Sequence, residues 1–199
     1  MPGVESDRSD ADVIERSQEV PEAFAGLYDR HAAAIFRFAA RRLGRQAAED
    51  VIAETFLAAF WRRGRYDLSR SDARPWLYGI AVNVIGKHRR GEVRSLRALA
   101  RTGVDPLTDG EFERADDRVA AGAMRRELAA ALAALPAEHR EVLLLVAWAD
   151  LSYEEVGFAL GIPIGTVRSR LSRARRRVRE ELARADRDVV DKELSHERA

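Results

Sequence analysis

The sequence predicts an all-α protein. Alanine, arginine, leucine and glutamate dominate while strand formers are sparse. Apolar residues also recur at three- and four-residue steps in one segment after another, which is the spacing of one helix face. Apolar residues make up 46% of the 199 positions, enough for real cores and too many for wholesale disorder. That length suits one ordinary domain or two small ones. The absence of cysteine excludes a disulfide scaffold and thiolate zinc sites, and it fits a reducing cytoplasm.

Residues 1–20 are polar and acidic and read as a disordered lead-in, not a signal peptide. No stretch approaches the roughly 20 apolar residues of a membrane span, so no membrane insertion is expected. A first helix begins near Pro21 and stops at Gly44, with Phe24, Leu27, Tyr28, His31, Ile35 and Phe38 on one face. A second runs over 47–63, carries Val51, Ile52, Phe56, Ala59 and Phe60, and is closed by Gly64 as a left-handed terminus. A loop containing RYDLSRSD follows.

The third helix starts at Asp72 or Ala73, with Pro75 tolerated in its first turn. Trp76, Leu77, Ile80, Ala81, Val84 and Ile85 form its apolar face, and it exits through His88, Arg89, Arg90 and Gly91. Residues 21–91 therefore read as one small helical domain. Over 92–118 the periodicity weakens and Gly103, Pro106 and Gly110 interrupt it, which marks a flexible linker and domain boundary.

The second domain spans 119–185. An alanine-rich helix ends before Pro136, and the next carries Val142, Leu143, Leu145, Val146 and Trp148. Ser152 and Glu155 form a capping box, each side chain satisfying a free backbone donor at the helix start. That helix stops at Leu160, and a last one begins near Gly165 or Thr166. A charged tail, 186–199, closes the sequence.

Net charge is only +1, so its distribution is more telling than its sum. From Arg168 to Arg179 seven of twelve residues are arginine and none is acidic. From Asp105 to Asp117 six acids (Asp105, Asp109, Glu111, Glu113, Asp116, Asp117) face one arginine. Such segregation indicates that different segments meet different partners.

The stretch LSYEEVGFALGIPIGTVRSRLSRARRR reads as a helix-turn-helix. Gly161 permits a tight turn, Ile162 folds back onto Val156 and Leu160, and Pro163 blocks continuation of the first helix. Thr166 is read as the cap of the second helix, which Val167 and Leu171 anchor inward. Thr166, Arg168, Ser169, Ser172, Arg173 and Arg176 then suit the major groove: short polar and arginine side chains for base edges, later arginines for phosphates.

A helix-turn-helix alone does not separate a repressor from an initiation factor; the first half does. EDVIAETFLAAFWRR followed by RPWLYGIAVNVIGKHRR resembles the second conserved region of sigma factors. LPAEHREVLLLVAWADLSYEEVGFALGIPIGTVRSRLSRARRRVRE is similar to their fourth. The chain resembles the extracytoplasmic-function class, in which just these two domains are joined by a linker.

The resemblance implies a non-enzymatic factor that binds RNA polymerase core, reads the minus-35 element and captures the melted minus-10 element. The second helix would dock on the clamp helices of the largest subunit, with Asp50 and Glu54 four apart on its polar face. Single-stranded minus-10 DNA needs aromatic surfaces for unstacked bases, polar groups for their edges and cations for the backbone. Tyr66, Trp76, Asn83, Lys87, Arg89 and Arg90 supply those types; Asn83 matches the family's asparagine, whereas the spacing of Trp76 favours the core. The acidic linker would pass near the RNA exit path, although a solvated connector explains the acids equally well. An anti-sigma protein that covers both domains is a further implied partner, with the Trp148 region and the exposed arginines as its contacts.

Three positions depart from the family pattern: Gly157 where alanine is usual, Lys87 where aspartate is common, and Gly79 inside the third helix. Gly157 is expected to weaken its helix by roughly 0.5–1 kcal/mol without changing its geometry. His31 and His88 have no ligand set around them and read as structural or surface residues. No nucleophile–base pair, phosphate loop or metal spacing is visible, so neither catalysis, a cofactor nor a metal is expected. The competing reading is a one-component helix-turn-helix repressor or activator, which would need a ligand pocket and a dimer seam.

Overall fold

The computed structural model describes residues 8–103 and 115–196. Residues 1–7 of the lead-in, the linker acids Asp105, Asp109, Glu111 and Glu113, and residues 197–199 of the tail lie outside the described residues. Among those described there are helices and no strand.

The first helix corrects the expectation of a disordered lead-in. Helix α1 spans Asp10–Glu19 and buries Ala11, Val13, Ile14 and Ser17. Its start is a capping box: the Ser9 hydroxyl accepts from the Asp12 amide (3.2 Å), and the Asp12 carboxylate accepts from the Ser9 amide (2.9 Å). Abundant exposed polar residues hide this short amphipathic pattern in the sequence.

A short 3₁₀ turn, Pro21–Phe24, leads into α2, Ala25–Leu43, and then α3, Arg45–Arg62. Gly44 lies between them at φ +87°, a conformation that side chains with a Cβ resist. Edge-to-face ring pairs join this part: Phe24 with Phe60 (5.4 Å) and Tyr28 with Phe56 (4.8 Å). The second helix does not end on a left-handed Gly64. It tightens into a 3₁₀ turn, Arg63–Arg65, and Gly64 keeps a negative φ.

Helix α4, Arg74–Lys87, carries Pro75 in its first turn as the sequence predicts. It is buried on most of its circumference, from Leu77 through Val82 and again at Val84 and Ile85. An apolar stripe all round a helix requires neighbours on several sides, and α4 has α2, α3 and α8 around it.

The expected linker is in part a helix. Helix α5, Arg89–Thr102, buries Glu92 and Leu96, four apart. Helices α6, Ala115–Ala134, α7, Ala137–Ala147, α8, Tyr153–Leu160, and α9, Ile164–His196, complete the chain. Helix α9 continues through most of the expected tail.

One continuous core runs through both halves, from Leu27, Ile35 and Leu77 by way of Leu96 to Leu145, Val156 and Leu171. Across the junction lies a chain of four charges, three of them buried and the fourth, Glu141, half-buried. Arg42 of α2 donates to Glu92 of α5 (Nε to Oε1, 2.7 Å) and makes a two-pronged pair with Glu141 of α7 (3.0 and 2.9 Å). Arg140 of α7 donates to the other oxygen of Glu92 (3.1 Å) and to the Leu132 and Leu135 carbonyls. Burial disfavours the Arg42 cation, but the two glutamates outweigh it and hold its pKa above the ordinary arginine value. Signs alternate along this chain, so no charge is buried alone.

Candidate nucleic-acid interface

The local sequence builds the α8–turn–α9 unit as predicted in outline. Ser152 accepts from the Glu155 amide (3.3 Å), and Glu155 accepts from the Ser152 amide (2.7 Å). Gly161 ends α8 in the left-handed region, φ +64° and ψ +36°. The Ile162 amide reaches back to the Gly157 carbonyl (2.9 Å) and the Gly161 amide to that of Phe158 (3.3 Å). This paired closure satisfies carbonyls that the last helical turn leaves free.

Two local expectations change. Helix α9 begins at Ile164, and the Thr166 amide donates to the Pro163 carbonyl (2.9 Å), so Thr166 sits inside the first turn and does not cap it. Gly157 is more than a weak spot. A Cβ there would stand 3.0 Å from the Ile162 carbonyl oxygen and 3.8 Å from Val167 Cγ2, so its absence lets the turn fold close to α8.

Val167, Leu171 and Ala174 are buried and pin α9 to the bundle. Arg168, Ser169, Ser172, Arg173 and Arg176 are exposed, with Thr166 half-buried at their head. The side chains chosen for the duplex therefore share one outward face. Arg176 also pairs with Glu180 one turn on (3.7 Å), and half-buried Arg170 pairs with Glu138 of α7 (3.0 Å). Exposed pairs of this kind contribute little and give way easily to a phosphate.

The residues proposed for single-stranded DNA are less uniform. Tyr66 is buried, its hydroxyl donating to the Arg70 carbonyl (2.7 Å) and lying 3.2 Å from that of Asp72, its ring against Trp76 (5.0 Å). It braces the loop and offers no open stacking surface, which corrects the sequence reading. Burial pushes its phenol up to about 12. Trp76 is half-buried and packs on the core. Asn83, Lys87 and Arg90 are exposed, and the side chain of Arg89 lies outside the described part.

Asp10 is a support that sequence reasoning missed. One of its carboxylate oxygens lies 2.7 Å from His31 Nε2 and accepts from the Ala73 amide (2.9 Å) just before α4; the other accepts from Arg30 (3.0 Å). Burial raises its pKa, but the hydrogen bonds and charges of His31, Ala73 and Arg30 prevail and bring it to about 2. His31 is thus structural, within the sequence expectation. The available signal was the Ser9–Asp12 capping pair, which marks a folded start.

On α3, Asp50 and Glu54 are exposed, and so are Leu57 (58%) and Trp61 (74%). Their spacing places all four on one helical stripe of acids beside bare apolar side chains. Glu54 accepts from Lys87 (2.8 Å), and that hydrogen bond lowers its pKa. The sequence reading found the acids but missed the two apolar members, whose exposure only the packing reveals. Large exposed apolar side chains in a row mark contact surfaces.

Trp148 lines an apolar groove with Leu128, Leu132 and Leu143, and Arg41 lies 5.7 Å over its ring. Among the described residues no cluster of His, Asp and Glu could hold a metal ion, and no helix is long and apolar enough to cross a membrane.

Comparison with known proteins converges on the same two blocks. Residues 27–95 match the family Sigma-70 region 2, and residues 125–178 match Sigma-70, region 4. The ECF RNA polymerase sigma factor SigL of Mycobacterium tuberculosis is 38% identical over 154 residues, 77% of this chain and 85% of that relative. SigW of Bacillus subtilis is 30% identical over 81% of this chain and 89% of its own length. SigE of Mycolicibacterium smegmatis is 36% identical over 79% of this chain, which spans 61% of that relative. Among solved structures, CnrH in complex with the cytosolic domain of CnrY superposes with a TM-score of 0.61 at 25% identity, covering 87% of this chain and 97% of that one. The sigma factor RpoE of Bartonella quintana, solved with the anti-sigma factor NepR, shares the fold at a TM-score of 0.57 and 24% identity over 80% of this chain and 96% of its own. The chain belongs to the ECF RNA polymerase sigma factors.

Proposed function

We propose that the chain binds RNA polymerase core in the cytoplasm and directs promoter-specific initiation, the polymerase performing all the chemistry. Helix α9 reads the minus-35 element in the major groove through Thr166, Arg168, Ser169, Ser172, Arg173 and Arg176. Asn83, Lys87, Arg89 and Arg90 of α4 and its exit, with the edge of Trp76, receive the melted minus-10 strand. The stripe of Asp50, Glu54, Leu57 and Trp61 docks on the clamp helices of the largest subunit. CnrH and RpoE were solved with CnrY and the anti-sigma factor NepR, and an inhibitor of that kind would cover both halves here.

The observation that carries this reading is the outward face of α9. Its arginines and serines are free to meet DNA because Val167, Leu171 and Ala174 hold the opposite face in the core. Run-off transcription on a promoter library with core polymerase tests it. The intact chain yields core-dependent transcripts with a minus-35 preference, and Arg173→Ala loses that preference. An intact chain that yields no core-dependent transcripts sinks the proposal.

A further inference from the structure

Helix α4 begins without a cap of its own. Ala73, the residue before it, has no side chain that could accept from the free amides of the first turn. Two aspartates answer them instead. The Asp72 carboxylate accepts from the Arg74 amide (2.8 Å), and Pro75 has no amide to satisfy. The buried Ala73 amide is answered from 63 positions away, by the carboxylate of Asp10 in α1 (2.9 Å). A negative charge at that end of a helix also suits the partial positive charge of its first turn.

Asp10 holds the same loop a second time. Its own amide donates to the Ser71 carbonyl (3.0 Å), so residues 71 and 73 are both tied to α1. The carboxylate is in turn fixed by His31 (2.7 Å) and Arg30 (3.0 Å) of α2. Bonds inside the loop stiffen it. Asp67 accepts from the Ser69 amide and hydroxyl (3.1 and 2.7 Å), and the Arg70 amide donates to the Asp67 carbonyl (3.0 Å). Tyr66 donates to the Arg70 carbonyl from within (2.7 Å). The loop therefore moves as one piece, and Asp10 anchors its far end.

The anchor ends at a surface already described. Trp76, Asn83 and Lys87 follow at steps of seven and four and so share one face of α4. Asn83 sits within the stretch from Leu77 to Ile85 that the core holds on most sides. Trp76 lies before that stretch, half-buried, with its ring against Tyr66 of the loop (5.0 Å). The placement of Trp76 thus depends on the loop and its anchor, whereas that of Asn83 rests on the core.

We propose that Asp10 is a positioning residue for minus-10 capture: it caps α4 from another helix and fixes residues 65–73, holding the Trp76 edge where the melted strand is received. The purpose of the anchor rests on the assignment of α4 given above; the anchor itself does not. A strand that binds only the ordered arrangement sees its affinity divided by the fraction ordered.

Two measurements on three variants test this. Asp10→Ala removes the anchor, and Asp10→Asn keeps an oxygen that can accept from the Ala73 amide. Ile14→Ala, at a buried apolar residue of the same helix, is a control that destabilises α1 without touching a polar contact. The first measurement is hydrogen exchange of the free chain. Asp10→Ala speeds exchange over residues 66–76 and leaves 153–160 unchanged; unchanged exchange over 66–76 overturns the anchor. The second is anisotropy of labelled single strands from the minus-10 region of a promoter recovered by run-off, titrated with holoenzyme at saturating core. Asp10→Ala weakens strand binding by about tenfold if about 10% of molecules stay ordered, with affinity for core unchanged. Asp10→Asn recovers most of that loss, and Ile14→Ala binds as the parent does. Equal strand binding by Asp10→Ala and the parent overturns the positioning role. An equal loss in Ile14→Ala also overturns it, because the effect is then one of general stability. If exchange changes as expected while parent holoenzyme binds neither strand, the reading of α4 fails and the anchor stands.

Discussion

Replacing Asp10 by alanine tests how firmly the first helix holds the loop before α4. The carboxylate bridges three elements: α1, His31 and Arg30 of α2, and the Ala73 amide. A pKa lowered from 3.8 to about 2 corresponds to about 2.5 kcal/mol of preferential binding of the ionised form, at about 1.4 kcal/mol per unit. Side-chain burial of the group (8% exposed) keeps solvent screening from eroding that figure greatly. Truncation also strands partly buried donors, so the expected loss at neutral pH is about 3 kcal/mol. Because the folded-state pKa is depressed, the contribution is present above the unfolded pKa of about 4 and vanishes as pH falls towards 2. Urea denaturation followed by circular dichroism, at steps from neutrality to pH 3, measures it. The gap between parent and Asp10→Ala narrows as the pH falls. A loss below about 1 kcal/mol at neutral pH, or a gap indifferent to pH, refutes the bridging role.

Other perturbations read other parts of the molecule. Gly161→Ala forces a Cβ into the left-handed region and lowers stability by about 1 kcal/mol in thermal melts, with a smaller loss for Gly161→Asn. The phenol of Tyr66 stays protonated well above pH 10, since its pKa is about 12. Its folded-state value is raised, so its contribution is full below pH 10 and lost as pH climbs through 12; alkaline absorbance titration against Tyr66→Phe shows one late-ionising tyrosine fewer. Trp61→Ala, at a side chain 74% exposed, leaves the melting temperature almost unchanged yet weakens association with core by about tenfold in a binding titration. Equal loss of stability and binding would assign Trp61 to the fold.

Much of the fold was legible because helix signals are local. The Ser152–Glu155 box, Gly161, Pro163 and the Val167–Leu171 pair placed the helix-turn-helix within a residue or two. What failed depended on packing between distant segments. Helix α1 looked like a lead-in because its few buried residues matter only once α2 and the loop before α4 surround them. Glu92, a charged residue in the expected linker, is buried because it pairs with arginines about 50 positions away. Tyr66 had the right chemistry for stacking, but the carbonyls of Arg70 and Asp72 claim its hydroxyl. Gly79 read as a blemish in a helix; it is where two backbones meet. On the candidate surface, the α9 face followed from spacing alone, whereas Leu57 and Trp61 needed the packing to show that they stay exposed among the described residues.

As proposed above, this chain engages promoter DNA as part of a polymerase and not by itself. On the proposed function, α4 and α9 are held apart by core so that both elements are touched at once, which raises the effective concentration of the second contact. Fluorescence anisotropy of a labelled promoter duplex, titrated with the chain in the presence and absence of core, measures this directly. Weak, sequence-indifferent binding is expected without core and tight, promoter-selective binding with it. Tight promoter-selective binding by the isolated chain, unchanged when core is added, would contradict it.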